Sequence, residues 1–223
     1  MHKNQKIEIA LNDLKKGKIV LIYNSEEKET AMITSAEKIN LRTMEIMKKL
    51  ASSDICCMID YPLAKKLGIY FLNDILYCAE EKFPILKKIV HGNSSRAIPL
   101  NHIKSKTGSS HKDKLMLIKD LIKIVKSENY NKFNEIVSAP GNFMFFIASE
   151  GLLEKRKGHT ELSIVLAKFA GIFPIVIAST MRDTETGGML SKQKAIKYAQ
   201  KNNLIFLEDK DIIKFYKNFR GIK

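Results

Sequence analysis

The chain has 223 residues, room for one large domain or two small ones around a sizeable core. Its apolar share of 45% suits a globular protein, and no apolar run approaches the roughly 20 residues of a membrane helix, which excludes a helical membrane span. The net charge of +14 rests on 38 basic residues, 33 of them Lys and only five Arg. These lysines run along the whole chain as solvated pairs, whereas nucleic-acid sites favour Arg forks and interleaved aromatics, so a nucleic-acid partner is not expected.

Residues 7–16 put Ile7, Ala10, Leu11 and Leu14 on one helical face, with Gly17 as a stop. The N-terminal residues carry too much charge for a signal peptide, so a cytoplasmic protein is expected. KIVLIY (18–23) predicts a buried strand, NSEEKE (24–29) a polar loop and TAMITS (30–35) a second strand. Asn40 is placed to cap a helix with Leu41, Met44, Met47 and Leu50 on its apolar face. DICCMI (54–59) is a third strand; its Cys56 and Cys57, with Cys78, are expected as reduced thiols. YPLAKKLGI (61–69) predicts a short helix ended by Gly68. Pro84 leaves 78–92 ambiguous.

RAIPLNHI (96–103) has the character of an edge strand, and 105–114 reads as a loop. Leu115, Ile118, Leu121, Ile122 and Val125 then mark a strong helix, with Asp113 as the candidate start. SAPG (138–141) reads as a turn, 142–149 as a strand and 150–158 as a connection. A helix over 159–170, a strand over 174–179, a polar loop over 182–188, a helix over 191–202, a strand over 204–207 and a helix over 209–218 complete the pattern. The alternation of strands and helices predicts a single α/β domain, residues 1–223, with helices on both faces of a sheet. Neither a G-x-G-x-x-G after the first strand nor a Walker loop is present, so a nucleotide is not expected.

Four stretches can carry chemistry. RKGHTE (156–161) puts Arg156, Gly158, His159 and Thr160 at a helix start, where unpaired N–H groups and the dipole favour an anion; a plain capped helix explains it equally well. SEEKET (25–30) gathers Glu26, Glu27 and Glu29 after a buried strand, where carboxylates can hold a hard cation or face solvent as an ordinary turn. KTGSSHKDK (106–114) offers hydroxyl donors, Thr107 among them. TMRDTETGGM (180–189) is a lid or a plain loop, with Asp183 and Glu185. Taken together, they suggest a site for a phosphorylated, oxygen-rich substrate with a divalent metal.

Through ALNDLKKGKIVLIYN, EKETAM, DICCMI, TGSSHKDK, APGN, EGLLEKRKGHTE and SKQKAIKYAQKNNLIFL, the chain resembles the 3,4-dihydroxy-2-butanone 4-phosphate synthase family in its archaeal single-domain form. The resemblance implies a lyase of riboflavin biosynthesis. Its substrate would be D-ribulose 5-phosphate, and its products formate and L-3,4-dihydroxy-2-butanone 4-phosphate. It implies a three-layer α/β/α fold with a mixed sheet, a homodimer with sites near the interface, and Mg²⁺, or Mn²⁺ in its place. Glu27 and His159 would hold the metal and carry the catalysis. Arg156, Gly158, His159, Thr160, Thr107 and Cys56 would contact the substrate. The chain also departs from the family pattern. The loop after the first strand is two residues shorter; Glu26 stands for an Arg, Ala31 for an Asp, Thr180 for a Glu, Lys114 for an Arg and Asn142 for a His found in bacterial members. Asp183 or Glu185 is the candidate replacement carboxylate. The alternative reading is an impaired homologue that binds a sugar phosphate or a partner subunit without turnover.

Overall fold

The structure, a computed structural model, describes residues 3–78 and 94–220. In chain order the elements are α1 (Lys3–Lys15), β1 (Val20–Asn24), β2 (Glu29–Ser35), α2 (Leu41–Ala51), β3 (Cys56–Ile59), α3 (Tyr61–Lys66) and α4 (Leu72–Tyr77). Then come β4 (Leu100–His102), α5 (His111–Ser127), α6 (Lys132–Ile136), β5 (Val137–Phe143), β6 (Phe145–Ile147) and α7 (His159–Phe169). The last four are β7 (Ile175–Thr180), α8 (Lys192–Lys201), β8 (Ile205–Glu208) and α9 (Asp209–Arg220).

Six strands form a mixed sheet in the order β6-β3-β7-β2-β1-β8. β1 runs parallel to β8 and β3 to β6, while β2 is antiparallel to both its neighbours. The side-chain alternation of each strand splits the core in two. Val20, Ile22, Ala31, Ile33, Val176 and Ala178 face α1, α7 and α9. Leu21, Met32, Cys57, Ile59 and Ile177 face the layer containing α2, α3 and α5. Helices on both faces explain why these strands read as continuous apolar runs. The α/β fold with a mixed sheet between helical layers is the expected one.

α7 is the most enclosed helix, with nine of its eleven residues buried. Leu162 and Leu166 are fully buried, and truncating either to Ala costs roughly 2–5 kcal/mol. Because α7 ends its N-terminus against the sheet, residues 158–161 cannot drift relative to the strands.

Several local expectations change. Ser110 caps α5 by accepting from the Asp113 N–H, so Asp113 lies inside the first turn rather than at the start. The SAPG turn lies within β5. There Asn101 pairs with Ser138 but Leu100 pairs with Phe143, so residues 139–142 loop out between consecutive partners. Gly141 permits this, because a Cβ there would sit 2.1 Å from the Leu100 carbonyl carbon. The expected strand 96–103 shortens to β4, with bridges at Arg96 and Ala97, and that of 142–149 to β6. α4 and α6 were not anticipated; of the ambiguous 78–92, only Cys78 lies within the described residues.

Candidate active site and metal centre

The loop between β1 and β2 is a tight hairpin: Asn24 pairs with Glu29, and residues 25–28 make the turn. Lys28 takes a left-handed conformation (φ 55°) to close it. Two anchors aim the turn. The Asn24 side chain accepts from the N–H groups of Glu26 and Glu27, while its Nδ2 donates to the Lys157 carbonyl at 2.9 Å. Ser25 donates its N–H and its hydroxyl to Asp209 at the start of α9. The shortened loop is therefore pinned against the segment leading into α7.

This brings Glu27 to His159: Glu27 Oε2 lies 2.7 Å from His159 Nδ1. The other ring nitrogen, Nε2, faces the Ile22 carbonyl at 3.3 Å. With Nε2–H donated to that carbonyl, Nδ1 can exchange the proton it shares with Glu27 for a metal ion, an orientation common to many metal-binding histidines. The hydrogen bond to His159 holds the Glu27 carboxyl below its usual range against the opposing effect of burial, with the charges of His159 and Arg156 adding to it. The Glu29 carboxyl shifts the other way, pushed up chiefly by burial.

Ligand atoms of Glu27, Glu29 and His159 lie within 4.8 Å of one another. The two carboxylates supply hard oxygen donors that suit Mg²⁺ or Mn²⁺, and the imidazole adds one borderline nitrogen. A cation there would offset the burial that disfavours ionised Glu29.

Arg156 behaves differently from the expected open anion fork. Its Nη1 donates to Glu161 at 2.8 Å and its Nη2 to Glu27 at 3.3 Å. Glu161, fully buried, also accepts from the N–H and hydroxyl of Ser149. Gly158 leaves room for this: a Cβ would meet the Arg156 guanidinium at 2.3 Å. Arg156 is thus the brace between the buried Glu161 carboxylate and that of Glu27.

A cleft of about 1170 Å³ opens beside this centre. Glu27, Glu29, Arg156, His159, Thr160 and Cys56 all line it. The Cys56 thiol donates to the Ala178 carbonyl at 3.4 Å, and burial pushes it up to about 12, so it stays protonated near neutral pH. Thr107 does not line the cleft; its carbonyl accepts from the side chains of Asn101 and Asn142, at the β4–β5 excursion. Ala31 and Thr180 face each other across β2 and β7, and Thr180 lines the cleft. Asp183 and Glu185 are not brought to it: Lys194 binds both, at 2.8 and 2.9 Å. Sequence reasoning missed Glu161, Asn24 and Asp209, and did not single out Glu29 as a ligand. Only Glu29 carried a signal, as one of three clustered carboxylates.

Comparison with known proteins agrees with this geometry. The family model described as 3,4-dihydroxy-2-butanone 4-phosphate synthase matches residues 8–215. The synthase of that name from Methanothermobacter thermautotrophicus is 34% identical, over 96% of this chain and 97% of its own length. That from Archaeoglobus fulgidus is 31% identical, over 97% and 96%. Among solved structures, a synthase of this name in complex with two magnesium ions aligns with a TM-score of 0.78 at 19% identity, over 96% of this chain and 98% of its own. The Candida albicans synthase aligns at 0.74 and 22% identity, over 94% and 96%. With a hairpin, a helix start and a full-length match all in agreement, the chain belongs to the 3,4-dihydroxy-2-butanone 4-phosphate synthase family.

Proposed function

We propose that this chain is a cytoplasmic, single-domain lyase that converts D-ribulose 5-phosphate to L-3,4-dihydroxy-2-butanone 4-phosphate and formate. The observation that carries the reading is the joining of Glu27, Glu29 and His159 at the mouth of a large cleft, within a family of this activity. Glu27, Glu29 and His159 Nδ1 would hold Mg²⁺, with Mn²⁺ as a substitute. The bound cation supplies Lewis-acid polarisation of substrate oxygens. Arg156 and Glu161 keep Glu27 aimed, and Thr160 at the α7 N-terminus offers a hydroxyl to the substrate. Cys56 packs against it as a neutral thiol. Glu29, which the cation would keep ionised against its burial, is the carboxylate placed to accept a proton from the substrate.

Two further parts of the proposal concern residues replaced relative to the family pattern and the second copy. Ala31 and Thr180 form one cross-strand pair without a carboxylate, so proton transfer falls to Glu29 on the same face of β2. Thr107, with Asn101 and Asn142, forms a polar patch outside its own cleft that completes the site of a second copy in a homodimer.

The test is formate release from ribulose 5-phosphate with Mg²⁺, against a chelator control. Release that needs the metal supports the lyase. Calorimetric binding of the sugar phosphate without release supports the impaired homologue, which the Ala31–Thr180 pair favours. Neither binding nor release sinks both.

A further inference from the structure

The cleft is poor in positive charge although the chain is rich in it. Among the described residues no lysine lines it, and its arginines are Arg96 and Arg156. The Arg156 fork is taken up by Glu27 and Glu161. Glu26, beside the metal-facing Glu27, adds negative charge rather than a cation. A phosphate ester entering the cleft needs a counter-charge that these groups do not give.

Arg96 stands on the opposite side of the cleft from the metal centre. Its segment extends the sheet past β6: Arg96 bridges Phe146, Ala97 N–H donates to the Phe145 carbonyl at 2.9 Å, and Ile147 N–H donates to the Ser95 carbonyl at 2.7 Å. Cross-strand partners share a face, so Arg96 shares that of Phe146, which in turn pairs with Met58. Met58 belongs to the core on the α7 side, and Phe146 packs against it. Glu29 sits on β2, with β7, β3 and β6 between it and the Arg96 segment. Among the described residues the Arg96 guanidinium has no hydrogen bond or ion pair, while its main chain is fixed. Ser94, Ser95 and Thr160 line the cleft beside it, and Thr160 Oγ1 reaches Ser95 Oγ at 3.5 Å.

We propose that Arg96 is the cation that receives the substrate phosphate, with the Ser95 and Thr160 hydroxyls beside it, so that the sugar lies across the cleft with its oxygens at the metal centre. This rests on the lyase reading above and adds to it the polarity of substrate binding. A planar fork suits phosphate oxygens bidentately.

The test is steady-state formate release by Arg96→Ala and Arg96→Lys. Both should fold as wild type, because the side chain is exposed and the pairing of the segment uses main-chain groups; thermal melts check this. Losing one charge-assisted contact is expected to raise the KM for ribulose 5-phosphate about 10- to 100-fold in Arg96→Ala, with kcat within about threefold. Arg96→Lys recovers part of the loss, because it keeps the charge without the fork. Competitive inhibition by inorganic phosphate weakens by a similar factor, while calorimetric titration with Mg²⁺ alone is unchanged. A wild-type KM and wild-type phosphate inhibition in Arg96→Ala overturn the role and leave the lyase reading intact. Absence of formate release by the wild type defeats the lyase reading instead; calorimetry with ribulose 5-phosphate then judges Arg96, and equal affinities of wild type and Arg96→Ala overturn it.

Discussion

Two loops of this protein carry clustered carboxylates after or before buried strands, and they end in opposite roles. In the 25–28 hairpin, Asn24 and Asp209 hold the backbone, so Glu27 is left to meet His159 and Arg156. In the 181–190 loop, Lys194 binds Asp183 and Glu185 together, and these carboxylates spend themselves on fixing the loop. The difference lies in what anchors the main chain. Where Asn24 and Asp209 pin the turn from outside it, Glu27 is left to meet His159 and Arg156; where a lysine pins the loop through its own acids, they are consumed.

The largest expected effect is on the first loop's partner. His159→Ala should lower formate release at least ~100-fold and weaken Mg²⁺ binding in calorimetry by a comparable factor, since it removes a proposed ligand rather than an outer contact. Near-normal turnover would break the proposed role of the hairpin as a metal holder. Glu161→Ala, behind the site, should cost about 3 kcal/mol in urea unfolding, because it strips a buried carboxylate from Arg156 and Ser149. A loss under about 1 kcal/mol would mean that Arg156 is braced some other way.

A smaller, pH-dependent effect is expected for Glu27→Gln. The folded Glu27 carboxyl lies below the unfolded value of about 4.3, so its stabilising effect is complete above that pH. It is lost as pH falls through the lower folded value. The difference in melting temperature between wild type and Glu27→Gln should therefore shrink as pH drops from about 6 to about 3. A difference that widens on acidification would reverse the assigned sign. The smallest effect belongs to the second loop. Asp183→Asn with Glu185→Gln should change turnover less than about twofold and barely move the melting temperature, because Lys194 is half exposed in both pairs although Asp183 itself is buried. A loss of turnover near that of His159→Ala would bring these acids into the chemistry.

The sequence made much of this readable where one physical rule dominated. The α5 periodicity showed its buried face, and β1, β2 and β7 showed themselves as apolar runs. Rules that compete were harder to read. Pro140 and Gly141 signal a turn, yet they lie within β5 because the ribbon tolerates an excursion opposite a single pair of partners. Glu27 and His159 were found because each sits in a conspicuous cluster. Glu161 was not, because an acid in a first helical turn normally serves the dipole, and only the tertiary fold reveals that Ser149 and Arg156 enclose it. Asn24 and Asp209 were equally silent: their partners lie far away in sequence, and a single chain gives no sign of which distant pairs will meet.

The tie between Ser25 and Asp209 also constrains the order of events during synthesis. The carboxylate that accepts both Ser25 donors lies 184 residues further along the chain than the hairpin that presents Glu27. A nascent chain emerges from its N-terminus, so β1 and β2 can pair long before their turn is tethered. The hairpin can thus form early, but its tether to Asp209 is fastened only after α9 has been made.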